Sequence, residues 1–199
     1  MGDARTMRTA VFVQVRLSST RLPRKALVEL AGKCAIEHAM DALIRVPASV
    51  HALLTDQESV AELEPCARRC GFELFAGDPD DVLSRYAAAA RHWEIDRYYR
   101  ATGDNPLVSA RLAVELERRH RAAGADFSGF LGPPLGTGVE LVETEALLCA
   151  DREAVDPYER EHVSPFIYRR PERFRVYRPW ADDAVRSEEH TSELQSLLI

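Results

Sequence analysis

The chain has 199 residues, of which 46% are hydrophobic and 29% charged, and its formal net charge at pH 7 is −6. This length and hydrophobic content predict one globular domain with a core of its own. The mild acidity argues against a nucleic-acid-binding protein, and no apolar run predicts a membrane span or a signal peptide. Four cysteines without a Cys-x-x-Cys pair predict a reduced cytoplasmic protein.

Short apolar runs alternate with segments of helical periodicity along the first two thirds of the chain. Four runs rich in β-branched, aromatic or aliphatic residues predict strands at 10–15, 50–54, 72–75 and 97–100. Helical periodicity predicts helices at 35–45, 60–70, 81–93 and 106–122. Asp78 followed by Pro79 predicts the start of the third helix. This alternation predicts a mainly parallel sheet flanked by helices on both faces.

The pattern is less regular beyond residue 125. The Gly- and Pro-rich stretch FSGFLGPPLGTGVELV predicts a loop followed by a strand, in a flap or small substrate lobe. The next segment predicts a short helix that Pro165 kinks or breaks, and then a strand near residues 174–177.

Polar loops follow all four predicted strands, and parallel strands place such loops along one edge of the sheet. The loop after the first strand carries four cations and three hydroxyls in RLSSTRLPRK, residues 16–25. Arginine, lysine and hydroxyl groups together can hold a polyphosphate. The spacing matches neither a P-loop nor a dinucleotide-binding fingerprint. From these residues alone, a phosphate site and a solvated charged loop are both open.

Several motifs in this chain, taken in order, resemble the sugar cytidylyltransferases. The pattern Arg-x-Ser-Ser-Thr-Arg-Leu-Pro-x-Lys at residues 16–25 is similar to the opening of these enzymes. The branch of spore-coat polysaccharide biosynthesis, related to 3-deoxy-manno-octulosonate cytidylyltransferase, resembles it most. Three more matching motifs follow: DDVLSRY at 80–86, RATGDNPLV at 100–108 and DPYEREHVSPFIYRRPERF at 156–174.

The resemblance implies a fold, an activity and a cofactor. The fold is α/β, nucleotide-diphospho-sugar transferase-like (Rossmann-like), with a mainly parallel sheet, flanking helices and a small substrate lobe. The activity transfers CMP from CTP to a sugar and releases pyrophosphate, with Mg²⁺ as cofactor, for polysaccharide or cell-surface glycan biosynthesis. Members of this family suggest a homodimer, and the sequence leaves the oligomeric state open.

The resemblance also assigns roles to individual residues. Those expected to neutralise the phosphates and the departing pyrophosphate are Arg16, Arg21 and Lys25. Those expected to bind the nucleotide are Ser18, Ser19, Thr20, Asp81, Arg85 and Gly103. Asp104 matches the aspartate that holds Mg²⁺, and the candidates for contact with the sugar are Glu140, Arg160 and His162.

Four of these residues have a simpler alternative role that the sequence leaves open. Asp104 lies in a Gly-Asp-Asn-Pro stretch that is also typical of turns. Asp81 is equally expected at a helix N-terminus because of the helix dipole. Arg160 and His162 are equally expected on a helix surface. Cys66 and Cys70 are four residues apart, and packing is a simpler role for them than metal or redox chemistry.

The sequence departs from the family pattern at three places. Arg24 stands where the family usually has glycine, and Gly138 stands where an aspartate is expected. A Val-Asp-Thr-Pro-Glu-Asp-like segment that holds the metal in relatives is missing, and residues 186–196 (RSEEHTSELQS) resemble a translated sequencing adapter. We therefore expect a flexible N-terminus at 1–8, one C-terminally truncated domain at 9–185 and a non-native tail at 186–199. The alternative functions are a glycosyltransferase that uses a nucleotide-sugar and an inactive nucleotide-binding fragment.

Overall fold

A seven-stranded sheet with helices on both faces organises the chain. The structure is a computed structural model, and it describes residues 6–18 and 24–182. The strands are β1 (Thr9–Gln14), β2 (Glu29–Leu30), β3 (Lys33–Cys34), β4 (Val50–Asp56), β5 (Glu73–Gly77), β6 (Arg97–Thr102), β7 (Phe127–Gly129), β8 (Glu140–Glu143) and β9 (Val176–Tyr177). The helices are α1 (Ala35–Leu43), α2 (Val60–Arg69), α3 (Val82–His92), α4 (Ala110–Ala123), α5 (Thr144–Glu153), α6 (Pro157–His162) and α7 (Pro165–Tyr168).

The strand order is β5-β4-β1-β6-β8-β7-β9, and β2 and β3 form a separate hairpin. The first four strands in this order are parallel, whereas β8 pairs antiparallel with both β6 and β7. The mainly parallel sheet that the sequence predicts is therefore confirmed. Among the described residues, no helix combines the length and the apolarity that are needed to cross a bilayer.

Alternate residues of β1 face the two halves of the core, because successive side chains of a strand point to opposite faces. Val11 and Val13 pack in a cluster that includes α1, α2 and α4. Phe12 packs on the other face in a cluster that includes α3, α5 and α7, and its ring lies 5.9 Å from that of Tyr86. Both faces of the central strands are therefore covered, as a parallel sheet requires.

The four predicted strands and the first three predicted helices lie within two residues of the observed bounds. The start of the third helix differs in its cap: Asp78 Oδ1 accepts the N–H groups of Asp80 and Asp81 in a turn. The N-cap is Asp81 itself, whose side chain accepts the N–H of Ser84. The prediction that Asp78 caps this helix was wrong, because its side chain closes the preceding turn instead.

The second half of the chain differs more from the sequence-based expectation. Helix α4 begins at Ala110, not at Pro106, because Ser109 accepts the N–H of Leu112 as its N-cap. The Gly- and Pro-rich stretch is a loop between two strands, β7 and β8, and α5 follows it without having been predicted. The break at Pro165 is confirmed, since α6 ends at His162 and α7 begins at Pro165.

Candidate active site

The loops that follow β1 and β6 meet at one edge of the sheet. These two strands are parallel neighbours, and their last residues, Gln14 and Thr102, are paired in register. A cavity of ≈ 220 Å³ opens directly beyond this pair. We call it the Asp104 cavity, and its lining residues are Gln14, Val15, Arg16, Lys25, Ala26, Thr102 and Asp104. Three predicted site residues, one metal ligand and two cations, therefore line one cavity.

Lys25 and Asp104 form an ion pair in this cavity. Lys25 Nζ donates to Asp104 Oδ2 at 2.5 Å, and both side chains are partly exposed. Burial alone would raise the pKa of Asp104. Hydrogen bonds from Lys25 and Thr102 outweigh that effect and hold this pKa below its ordinary value. Asp104 therefore carries a negative charge at neutral pH, and its partner in this structure is the ammonium group of Lys25.

Gln14 contributes an oxygen that sequence reasoning did not identify. Its side-chain Oε1 is buried and has no hydrogen-bond partner among the residues that the structure describes. A buried amide oxygen without a partner is costly, so such a group indicates a missing ligand or water. Carboxylate and amide oxygens are the donors that Mg²⁺ prefers. Asp104 and Gln14 together therefore fit a magnesium ion.

Only part of the predicted phosphate loop belongs to the described residues. Ser19, Thr20 and Arg21 lie outside them, and Ser18 is exposed at the last described position before the gap. Arg16 is partly exposed and lies 3.5 Å from Glu161, which connects this loop loosely to α6. The start of the loop thus presents an accessible guanidinium toward the sheet edge.

A buried carboxylate fixes the start of this loop. Asp56, at the end of β4, accepts the N–H of Ser59 at 2.8 Å and its hydroxyl at 3.1 Å. The Ser59 hydroxyl oxygen in turn accepts the N–H of Leu17 at 3.1 Å. Asp56 is 4% exposed, which leaves it little access to a ligand. Its role in this structure is to hold the loop after β1 in place.

Arg24 has the backbone conformation that glycine adopts most readily. Its φ is 58° and its ψ 25°, in the left-handed region, and it precedes the one-turn 3-10 helix Lys25–Leu27. The glycine expected here from the family pattern would therefore have a conformational reason. The Arg24 side chain forms an ion pair with Glu62 at the start of α2, so it contributes no free cation to the cavity.

A second cavity of ≈ 220 Å³ lies beside the first, and Thr102 lines both. We call it the Glu140 cavity, and its lining residues are Arg100, Ala101, Thr102, Asn105, Phe127, Gly129, Phe130, Gly138, Val139, Glu140 and Arg178. A Cβ added at Gly138 would meet only Pro133 Cγ, at 3.6 Å. A Cβ at position 138 therefore has room. With glycine in place of the aspartate expected from the family pattern, the charged residues that line this cavity are Arg100, Glu140 and Arg178.

Glu140 is held by two donors that sequence reasoning did not identify. Arg100 on β6 donates to Glu140 Oε2 at 3.0 Å, and the hydroxyl of Ser164 donates to the same oxygen at 2.7 Å. Burial alone would lower the pKa of Arg100, but the charge and hydrogen bond of Glu140, together with the nearby Tyr86 and Tyr98, raise that pKa. The signal for Arg100 was available, since it begins the RATGDNPLV motif.

Asp81 and Arg160 contact each other, although the resemblance placed one on the nucleotide and the other on the sugar. Arg160 Nε donates to Asp81 Oδ2 at 2.8 Å. Its guanidinium also donates to Asp151 Oδ1 at 3.2 Å and to the Asp151 carbonyl at 2.7 Å. Arg160 therefore connects the start of α3, the end of α5 and helix α6, and these contacts favour a structural role.

Arg85 lies inside the protein and is only 2% exposed. Its Nε donates to the carbonyl of Asp78 at 3.0 Å, and its guanidinium also donates to the carbonyl of Pro79 at 3.1 Å. A Cβ at Gly77 would lie 2.7 Å from Arg85 Cγ, so the neighbouring strand end has no room for a side chain. Arg85 supports the turn before α3, and neither cavity includes it.

His162 and Gly103 complete the predicted set. His162 is exposed at the end of α6, where its ring lies 4.3 Å from that of Tyr158. Gly103 is buried, and a Cβ there would lie 2.9 Å from Ile36 Cδ1 and 3.1 Å from Val15 Cβ. Close packing of the chain between β6 and the Asp104 turn therefore requires glycine at position 103.

A separate cluster lies between α1 and α2, where potential ligand atoms of Cys34, Glu37 and Cys66 are within 4.8 Å of one another. Arg69 already donates to Glu37 Oε1 at 2.8 Å and to Cys66 Sγ at 3.3 Å. Burial raises the pKa of the Cys34 and Cys66 thiols, and it raises that of Cys70 to about 12. Because the thiols stay protonated and Arg69 already occupies the carboxylate, these contacts favour a packing role for the cluster over metal or redox chemistry.

The fold and the two cavities define an α/β protein of the nucleotide-sugar transferase-like class. Residues 10–199 match the family model described as Cytidylyltransferase, and the chain belongs to this family. A relative in Bacillus subtilis, spore coat polysaccharide biosynthesis protein SpsF, is 30% identical over 176 residues, which cover 83% of this chain and 72% of the relative.

Two solved structures share the fold. A cytidylyltransferase from Leptospira borgpetersenii has a TM-score of 0.83 and 24% identity, and the match covers 92% of this chain and 78% of that one. A CMP:2-keto-3-deoxy-manno-octonic acid synthetase complexed with CTP has a TM-score of 0.69 and 15% identity, with 96% and 98% of the two chains covered.

Proposed function

We propose that this protein is a Mg²⁺-dependent cytidylyltransferase that joins CMP from CTP to a sugar and releases pyrophosphate. The observation that carries the proposal is the pairing of Lys25 with Asp104 beside the unpartnered oxygen of Gln14, at the ligand-binding edge of the sheet. The chain's membership of the Cytidylyltransferase family supports CTP as the nucleotide.

In this proposal the nucleotide changes the partners of the ion pair. Lys25 turns from Asp104 to the phosphates, and Asp104 and Gln14 become available to a metal. Arg16 lies in the same cavity and adds a second cation for the phosphates. Arg21, in the same loop, is a third expected cation. Fixed cations neutralise the charge that develops on the departing pyrophosphate, and this is where the catalytic advantage arises.

A bound Mg²⁺ would polarise the phosphate oxygens that it contacts. The chain's own contribution is to place the sugar beside the nucleotide, because Thr102 lines both cavities. Glu140 is the carboxylate that faces a sugar hydroxyl in this arrangement. Alignment of a sugar oxygen with the α-phosphate converts a bimolecular encounter into a positioned reaction. The similarity to the spore coat polysaccharide biosynthesis protein of Bacillus subtilis supports polysaccharide or cell-surface glycan biosynthesis as the pathway.

The test is release of pyrophosphate from CTP, measured with Mg²⁺ and a panel of acidic sugars that includes 3-deoxy-manno-octulosonate. Lys25→Met should lower kcat by about 10²- to 10³-fold, the loss typical for one charge donor. Lys33→Met is the matched control, because Lys33 forms a similar exposed pair with Asp41 at 2.5 Å. Equal losses in the two variants would contradict the role of Lys25, and consumption of a nucleotide-sugar without pyrophosphate release would indicate a glycosyltransferase.

A further inference from the structure

The side chain of Ser164 is committed to Glu140. Its hydroxyl donates to Glu140 Oε2 at 2.7 Å, and Ser164 is only 1% exposed. Arg100 donates to the same oxygen from β6, the strand that pairs with the strand of Glu140. Both donors contact Oε2, so Oε1 is the oxygen that remains for a ligand in the Glu140 cavity.

Ser164 occupies the N-cap position of α7, yet its hydroxyl does not cap that helix. Serine is favoured at this position because its oxygen accepts a backbone N–H of the first turn. Here Pro165, the first residue of α7, has no N–H, and the N–H of Ile167 donates to the Ser164 carbonyl at 3.0 Å and not to its hydroxyl. The hydroxyl therefore serves another element, and a capping role does not account for its contact with Glu140.

A strained turn places this hydroxyl. Val163 has φ 71° and ψ −61°, and the N–H of Ser164 donates to the carbonyl of His162 at 2.8 Å. These values define a γ-turn with positive φ, a rare and strained conformation for a β-branched residue. Val163 itself is fully buried, so packing in the core holds the turn. Strain of this kind is concentrated at functional sites.

We propose that Ser164 is a positioning residue for the sugar acceptor, and this inference rests on the proposed function. The terminal torsion of a glutamate is soft, so one donor leaves the carboxylate free to rotate. A second donor on the same oxygen fixes the plane of the carboxylate and aims Oε1 into the Glu140 cavity. The ligand that this arrangement recognises is a hydroxyl group of a polyhydroxylated acceptor, which donates its hydrogen to Oε1.

The experiment measures KM for CTP and for the acceptor separately in Ser164→Ala, Ser164→Thr and Ser128→Ala. Ser164→Ala should lower kcat/KM for the acceptor by about 10- to 100-fold, the effect of losing one hydrogen bond to a carboxylate. Its KM for CTP should stay within about twofold of wild type, and Ser164→Thr should restore most of the acceptor effect because it keeps the hydroxyl.

Ser128→Ala is the matched control. Ser128 is fully buried and hydrogen-bonded to His120 at 2.8 Å. It pairs in register with Leu141, so its side chain points to the face of the sheet opposite to that of Glu140. It should lose stability without a change in KM for the acceptor. An unchanged acceptor kcat/KM in a folded Ser164→Ala, or a loss that Ser128→Ala reproduces, would overturn the positioning role.

A second measurement separates this inference from the proposed function. Crystal structures of wild type and Ser164→Ala would show whether the Glu140 carboxylate turns when the hydroxyl is removed, whatever the substrate. An unmoved carboxylate would overturn the role of Ser164. Wild type that releases no pyrophosphate with any acceptor of the panel, while the carboxylate turns in the variant, would overturn the proposed function and leave the positioning geometry supported.

Discussion

Lys25 and Asp104 are 79 residues apart in the chain and form an ion pair of 2.5 Å at the edge of the sheet. One is placed by the loop after β1 and the other by the loop after β6. Exposed pairs of this kind contribute only about 0–1 kcal/mol to stability. The pair therefore contributes little to the stability of the fold. In the proposed function a metal cation replaces Lys25 beside Asp104, and a polyphosphate replaces Asp104 beside Lys25.

The pair predicts a specific dependence of stability on pH. The pKa of Asp104 is lowered in the folded protein, so the folded state binds fewer protons than the unfolded state at low pH. Wild type should exceed Asp104→Asn by less than about 1 kcal/mol at pH 7. This difference should persist down to about the ordinary pKa of 3.8 and disappear as the pH falls through the lower folded value. Urea unfolding from pH 3 to 7 tests this, and a difference that grows in acid would contradict it.

The same substitution to alanine should destabilise the protein at Gly103 and leave its stability nearly unchanged at Gly138. A Cβ at Gly103 would lie 2.9 Å from Ile36 Cδ1, whereas one at Gly138 would meet only Pro133 Cγ at 3.6 Å. Gly103→Ala should cost about 1–3 kcal/mol of unfolding free energy because the core is overpacked. Gly138→Ala should change it by less than about 0.5 kcal/mol. Thermal or urea unfolding decides, and equal costs would contradict the packing role of Gly103.

Replacement of Arg24 should separate backbone strain from the ion pair. Arg24→Gly and Arg24→Ala both lose the contact with Glu62, but only glycine relieves the positive φ of 58°. Arg24→Gly should therefore be more stable than Arg24→Ala by about 1 kcal/mol. Chemical unfolding of the two variants measures this difference directly. A more stable alanine variant would show that this backbone conformation carries no strain.

Removal of Arg160 should affect stability more than substrate binding. Arg160→Met leaves Asp81 and Asp151 without their common partner, and the unfolding free energy should fall by about 2 kcal/mol. Arg68→Met is the control, since Arg68 and Glu64 form an exposed pair within α2 that is worth less than about 0.5 kcal/mol. The KM for the acceptor should stay within about twofold of wild type. A large rise in the KM for the acceptor with unchanged stability would contradict the structural role and support contact between Arg160 and the sugar.

The sequence predicted the parallel part of the sheet well, because each strand there is a short apolar run bounded by polar loops. It also predicted which loops share an edge, and Arg16, Lys25 and Asp104 line one cavity as this reasoning requires. The cap at Asp78 was wrong because its side chain satisfies the turn before the helix, which spacing alone does not distinguish from a cap. Helix α5 was missed in a stretch where no regular pattern was recognised.

The sequence did not predict which side chains contact each other in the site. Nothing in the chain's local pattern links Ser164 to Glu140, 24 residues away, or indicates that Gln14 has an unsatisfied oxygen. Asp81 and Arg160 were assigned to different ligands because their mutual contact spans 79 residues. Such contacts depend on how strands and helices pack against each other. Hydrophobic periodicity predicts where the helices and strands are, but not how they pack.

Asp104 and Lys25 lie at the centre of the proposed Mg²⁺-dependent site for CTP. The most direct measurement is a thermal-shift series with CTP, UTP, GTP and ATP, each with and without Mg²⁺, on wild type, Asp104→Asn and Asp41→Asn. A ligand at 100 times its Kd should stabilise the folded state by roughly 2.7 kcal/mol. We expect a Mg²⁺-dependent preference for CTP in wild type. Asp104→Asn should abolish this preference, and Asp41→Asn, at the similar exposed pair with Lys33, should retain it. No shift with any nucleotide in a cooperatively melting wild type, or the same shift in both variants, would contradict the proposed site.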